Sequence, residues 1–155
     1  MGNSYYHVRI VAFALVLVAF YECCLVSGNP ITYVHVYVSN KIPGQTLGIR
    51  CRSKNDDLGV HYLTTNQYFK FQFKNSFWGI TVFSCFMEYN DGRIPKSGNY
   101  EVYRESRDEA RCGTNCFWEA RPDGIYLARG LNGENAVFQY KWNPPRSTTS
   151  ARVNE

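Results

Sequence analysis

The chain has 155 residues, 45% of them apolar and 16% aromatic, with 17 Lys and Arg against 13 Asp and Glu for a formal net charge of +4. That length suits one domain with its own core, and a mild basic excess interspersed with acids argues against a nucleic-acid footprint. The charge supports no more than a weak preference for acidic partners, wall pectins included.

The N-terminus reads as a secretory signal. His7 and Arg9 precede an apolar run, 10–21, that is short for a bilayer span and is followed by small residues, with Val26 and Gly28 at the −3 and −1 positions of a cleavage after Gly28. The expected organisation is a signal peptide at 1–28, a β-domain at 29–143 and a disordered tail at 144–155. Cleavage removes one base, Arg9, and one acid, Glu22, so the charge stays at +4.

Cleavage also removes Cys23 and Cys24, leaving Cys51, Cys85, Cys112 and Cys116. An even count in an oxidising compartment implies disulfides, and the sequence alone does not choose among the possible pairings. A bridge between Cys51 and Cys85 closes a long loop and contributes about 3–4 kcal/mol in the chain-entropy model, with Cys112 and Cys116 then a local staple. Crossed pairings stay open. Zinc is disfavoured, because no C-x-x-C spacing is present.

Strand signals dominate the chain beyond Gly28. Segment 32–38 is β-branched and aromatic, with Tyr33, His35 and Tyr37 on one face and Val34, Val36 and Val38 on the other. Segment 46–52 is a second strand and 53–59 an acidic loop. Segment 68–74 alternates strictly, which predicts Phe69, Phe71 and Phe73 inward and Lys70, Gln72 and Lys74 toward water. Segment 80–89 is apolar on both faces, as a central strand would be. A polar turn-rich loop at 90–99, a short strand at 100–104 and a charged connection at 107–115 come next. Segments 117–121 and 125–129 flank Pro122-Asp123-Gly124, a tight-turn signal, and 136–142 is the last strand before Asn143-Pro144-Pro145. About eight short strands, with no helix after the signal, predict an all-β antiparallel sandwich, with a closed barrel as alternative.

Four blocks carry a family resemblance: Val38-Ser39-Asn40 closing the first strand, Cys51 through Gly59, Thr81-Val82-Phe83-Ser84-Cys85, and Cys112-x-x-x-Cys116-x-Trp118 followed by Asp123-Gly124-Ile125-Tyr126. In this order, with the aromatic strand 68–73 between them, they resemble the plant self-incompatibility S-proteins and their homologues. Arg50 stands where that family often has histidine, and Ser84 where it often has an aromatic residue. The resemblance implies a secreted β-sandwich with two disulfides and a ligand rather than an enzyme. In poppy, members act as stigma ligands that a pollen receptor recognises as self.

Other chemistry finds little support in the residues. His61 with Asp56 and Asp57 has no nucleophile or orienting group placed beside it, so a turn-capping Asp56 and a His61 beside the Leu58-Gly59 bend are expected. No calcium loop of the D-x-[DN]-x-[DN]-G type is present. Trp118 shares a face with Cys116 and reads as core, as does Trp142. Trp78 falls in the connection after Lys74; core packing is its expected role and partner contact the alternative.

Recognition surfaces of a sandwich lie on its loops. Segments 53–57, 75–78, 90–99 and 105–111 are the candidates, and within them Lys54, Asp56, Asp57, Trp78, Asp91, Arg93, Lys96, Arg107 and Arg111 are the candidate partner-binding residues. No N-x-[ST] acceptor masks them. The expected function is that of a secreted, non-enzymatic extracellular ligand, in self-incompatibility or other cell–cell signalling. It binds a cell-surface receptor or other extracellular protein, with no cofactor, no nucleic acid and no membrane insertion after cleavage. An apoplastic carbohydrate-binding module is the first alternative, favoured if Trp78 and neighbouring tyrosines are exposed and coplanar. A small secreted hydrolase is the second, favoured if a pocket brings His61 or His35 beside a carboxylate and a hydroxyl.

Overall fold

The computed structural model describes residue 7, residues 9–16 and residues 33–143 apart from 77 and 93. The expected cleavage site at Gly28, the candidate Arg93 and the expected tail 144–155 lie outside the described residues. Residues 9–16 are helical, with Ile10, Phe13 and Leu15 exposed, and belong to a unit separate from the β-domain.

Among the described residues, nine strands and one helix build the domain: β1 (Tyr33–Asn40), β2 (Leu47–Arg52), β3 (Asp57–Leu63), β4 (Tyr68–Lys74), β5 (Val82–Asn90), β6 (Pro95–Arg104), α1 (Glu105–Cys112), β7 (Asn115–Arg121), β8 (Gly124–Ala128) and β9 (Val137–Lys141). One sheet runs β4-β1-β7-β8-β9 and the other β3-β2-β5-β6. Every neighbouring pair is antiparallel except β1 and β7, which are parallel with Val36 beside Cys116 and Val38 beside Trp118.

Alternation decides which side chains fill the space between the sheets. Val34, Val36 and Val38 of β1, Phe71 of β4 and Cys116, Trp118 and Ala120 of β7 are buried from one sheet. Leu47, Ile49 and Cys51 of β2, Phe83, Cys85 and Met87 of β5, and Tyr100 and Val102 of β6 are buried from the other. Phe69 and Phe73 pack against this core, as the alternation of β4 predicts. The Trp118 indole N–H donates to the Val102 carbonyl at 2.7 Å, and that of Trp142 to Arg121 at 2.8 Å, so both rings are buried without an unmet donor. Cys51 and Cys85 stand directly opposite each other on β2 and β5 and are bridged; Cys112 and Cys116 are bridged across the α1–β7 turn.

Four readings of the sequence are corrected. The acidic loop ends at Asp56, because Asp57–Leu63 is a strand; a register shift opposite Arg50 and Arg52 and a positive φ of 77° at Gly59 break its alternation. The polar loop after Asn90 is only a short turn, because Pro95 to Asn99 begin β6. Gly98 is needed there: the Tyr100 ring lies across it, leaving 2.2 Å between a Cβ at this position and the tyrosine oxygen. Glu105–Cys112, read as part of a charged connection, is an α-helix. Trp78, expected in the core, is 79% exposed, since the β4–β5 connection runs outside the space between the sheets.

Asn40 is fully buried and satisfied: its amide donates to the Gln45 and Leu63 carbonyls at 2.8 Å each, and its oxygen accepts the Ile42 N–H at 2.9 Å. It fastens the β1–β2 turn to the end of β3. Asn40→Ala is expected to destabilise by about 2–3 kcal/mol, since each such bond is worth about 1 kcal/mol and buried carbonyls are left bare. Urea unfolding checks this; a midpoint equal to that of the unsubstituted protein would show that water replaces the amide at no cost.

Candidate partner-binding site

The β2–β3 turn and the β4–β5 connection converge at one end of the sandwich, because β2 ends and β5 begins as antiparallel neighbours there. Between them lies a cleft of about 580 Å³. Its wall is formed by Phe73, Ile80, Val82 and Phe83, and its lip carries Arg52, Lys54, Asp56 and Lys74.

Both lips are internally braced. In the β2–β3 turn the Ser53 hydroxyl accepts the N–H groups of Asn55 at 3.2 Å and Asp56 at 3.0 Å and donates to the Asp56 carboxylate at 3.0 Å. A hydroxyl in this role fixes a turn that the backbone alone would hold loosely. In the β4–β5 connection the Thr81 hydroxyl accepts the Ser76 N–H at 2.8 Å, and the Ser76 hydroxyl that of Ile80 at 3.2 Å. The Tyr103 hydroxyl donates to Asn75 at 2.9 Å, tying the connection to the other sheet. Glu105, buried at the start of α1, accepts the Thr81 N–H at 3.2 Å.

The candidate residues do not form one surface. Lys54 and Asp56 line the cleft, and Trp78 lies between cleft residues Ser76 and Ile80 in the β4–β5 connection. Asp57 starts β3 and pairs with Arg50, whose Nε donates to both carboxylate oxygens at 3.1 Å. Asp91 and Lys96 belong to the β5–β6 hairpin, where the Lys96 ammonium donates to the Pro122 carbonyl at 2.9 Å and lies 5.6 Å over the Tyr89 ring.

Arg107 and Arg111 hold α1 in place. Asp108, with no exposure, accepts the Arg104 N–H at 2.8 Å and ion-pairs with Arg107 at 2.6 Å and Arg111 at 3.2 Å. Arg107 also reaches Glu101 at 2.8 Å and the Tyr140 hydroxyl at 3.2 Å. Such a network docks a helix that has no apolar face of its own.

Arg50, at the position where histidine is common in the resembling family, has its physical reason in Asp57. Its guanidinium hydrogen bonds, seconded by the Gly59 N–H, hold the Asp57 carboxyl down at about 2, against an ordinary value of 3.8. A depressed folded value stabilises the fold above the unfolded pKa of 3.8, and that contribution is lost as pH falls through 2. Carboxyl-carbon NMR is expected to show Asp57 ionised until about pH 2, and Arg50→Gln to return its titration toward the ordinary range. Titration of the unsubstituted protein near the ordinary value would refute the pairing.

A catalytic His61 does not find its geometry. The His61 ring stacks on Phe69 at 4.0 Å and its Nε2 donates to the Leu58 carbonyl at 2.9 Å, a packing role. Trp78 is 79% exposed, in the connection that follows β4. Among the described residues, no group of three or more His, Cys, Asp or Glu is arranged to hold a metal. Sequence reasoning missed the structural roles of Asn40, Asp108 and Ser53, although 53–57 and 105–111 are among its candidate segments. The Ser53-x-x-Asp56 spacing was the available signal for the last.

The fold and its bridges define a small disulfide-bonded β-sandwich. Residues 35–142 match the family described as plant self-incompatibility protein S1. S-protein homolog 6 of Arabidopsis thaliana is 34% identical over 114 residues, covering 74% of this chain and 78% of the relative. S-protein homolog 11 of the same plant is 40% identical over 102 residues, 63% and 68% of the two chains. Self-incompatibility protein S1 of Papaver rhoeas is 28% identical over 127 residues, 82% and 87%. A solved self-incompatibility protein homologue, from a group described as widespread, small, highly stable, secreted plant proteins, superposes with a TM-score of 0.51 at 24% identity, covering 74% of this chain and 97% of that one. The chain belongs to the plant self-incompatibility protein S1 family, with the S-protein homologues. No helix among the described residues is long and apolar enough to cross a membrane.

Proposed function

We propose that this chain is a non-enzymatic extracellular ligand whose partner is a cell-surface or other extracellular protein, bound at the cleft between the β2–β3 turn and the β4–β5 connection. The observation that carries the reading is the preformed cleft itself. Its lips are braced by their own hydrogen bonds on a rigid, disulfide-bonded frame, so binding loses little loop entropy. The resemblance to stigma ligands supports a signalling role, in self-incompatibility or another cell–cell process. The apolar run at the N-terminus supports release after Gly28, which N-terminal sequencing of the secreted protein tests.

Proximity labelling on intact plant reproductive and vegetative cells tests the ligand role, with oxidised secreted protein as bait. One membrane protein is expected to be enriched, and to be lost when residues 53–56 are exchanged for an unrelated four-residue turn. Retention on wall polysaccharide with no protein enriched would make carbohydrate binding the leading account.

A further inference from the structure

The chemistry of the cleft is more selective than its shape. On the lip, Arg52, Lys54 and Lys74 face one carboxylate, Asp56, an excess of two positive charges. Asp56 is engaged by the Ser53 hydroxyl, and the nearby Asp57 is taken up by Arg50. Lys74 lies 5.2 Å over the Tyr33 ring, whereas Lys54 has no ion-pair partner among the described residues. Glu105, buried behind the cleft, has its carboxylate on the Thr81 N–H. Beside these cations the wall is apolar: Phe73 stacks on Phe83 at 4.4 Å, and Ile80 is 72% exposed. An apolar side chain left so open is covered at a cost by water and at a gain by a ligand.

We propose that the cleft binds an acidic peptide segment of the partner, seating an aliphatic or aromatic side chain against Ile80 and Phe73 while flanking carboxylates meet Lys54 and Arg52. This rests on the partner-binding reading and adds the chemistry of the partner. An anionic polysaccharide satisfies the lip and leaves the apolar wall uncovered; the wall is what favours a peptide. Complementary charge at such a rim chiefly sets association rate and salt dependence, and the seated side chain sets residence time.

The test selects a random dodecapeptide display library on the oxidised full chain and counter-selects on a Lys54→Glu, Ile80→Asp double variant. The expected consensus places Asp or Glu on either side of Phe, Leu or Ile. A labelled consensus peptide is expected to bind roughly tenfold more weakly to each single variant, and to weaken with salt in the unsubstituted protein. Both positions are exposed, and matching melting curves establish that the variants are folded. A basic consensus, or equal binding to protein and variants, overturns the proposal. So does polygalacturonate binding that Lys54→Glu reduces and Ile80→Asp leaves unchanged, with no peptide enriched. Cell-surface labelling by the same variants separates the two failures. Labelling lost without an acidic consensus keeps the cleft and refutes the peptide chemistry, whereas labelling fully retained refutes the cleft as the partner site.

Discussion

Phe71→Asp is expected to abolish folding of the β-domain. Phe71 is 8% exposed, opposite Val36 on β1, with its ring 5.1 Å from Phe83 on the other sheet and 5.7 Å and 6.1 Å from Phe69 and Phe73. It therefore joins both sheets. Losing the ring alone costs about 3–5 kcal/mol, and a carboxylate placed among aromatic rings adds several more or must take up a proton. Domains of this size are stable by about 5–15 kcal/mol, so the sum consumes the margin. Phe71→Leu, which keeps the apolar contact, is expected to fold with a loss of about 1–2 kcal/mol. Near-ultraviolet circular dichroism checks both, and a native spectrum for the aspartate variant would overturn the inward assignment of β4.

Replacing Cys51 and Cys85 together by alanine is expected to lower stability by about 3–4 kcal/mol, because their bridge closes a segment with a sequence separation of 34. The Cys112–Cys116 bridge, with a separation of 4, is worth about 2 kcal/mol on the same account. Denaturant midpoints of the two double variants check the ranking, and an equal or reversed order would refute the loop-entropy explanation. Access adds a second expectation. Cys51 and Cys85 are fully buried and Cys112 is not, so mild reductant opens the Cys112–Cys116 bridge first, read by mass after alkylation.

The strands that could be read in advance are those whose burial is written in alternation. In β4, Phe69-Lys70-Phe71-Gln72-Phe73-Lys74 shows its facing directly; β5 is central as its apolar content predicts, between β2 and β6, although its second face is only partly covered and Phe86 is exposed. β3 was hidden because Gly59 interrupts its pattern and a bulge in its pairing displaces the register. The first half of β6 was hidden because Pro95, Ser97, Gly98 and Asn99 are turn formers used here in a strand, with the Tyr100 ring covering Gly98 in place of a side chain. α1 escaped notice because it is docked by ions: Asp108, Arg107 and Glu101 do what an apolar stripe does elsewhere, and hydrophobic periodicity has nothing to detect. The sequence did point to Lys54, Asp56 and Trp78 as loop residues. It did not reveal that the loop holding Lys54 and Asp56 meets the β4–β5 connection in one cleft, because that meeting depends on β2 pairing with β5, more than thirty residues away. Arg107 and Lys96 also illustrate a limit, since a charged residue in a polar segment looks the same whether it serves a partner or its own fold.

The parallel pairing of β1 with β7 makes one sheet depend on contacts far apart along the chain. His35 pairs beside Asn115, so β1 gains its parallel partner only when a segment eighty residues further along the chain is in place. Until then β1 has only β4 for company, and the five-stranded sheet exists as a two-stranded ribbon of marginal stability. The other sheet has no such delay: β2, β3, β5 and β6 are all present once Arg104 has emerged, and Cys51 meets Cys85 inside it. The Cys51–Cys85 bridge therefore lies wholly within the sheet whose strands all precede α1. The buried bridge holds together the sheet that needs no strand beyond Arg104, whereas the sheet built on β1 is completed only by strands that follow α1.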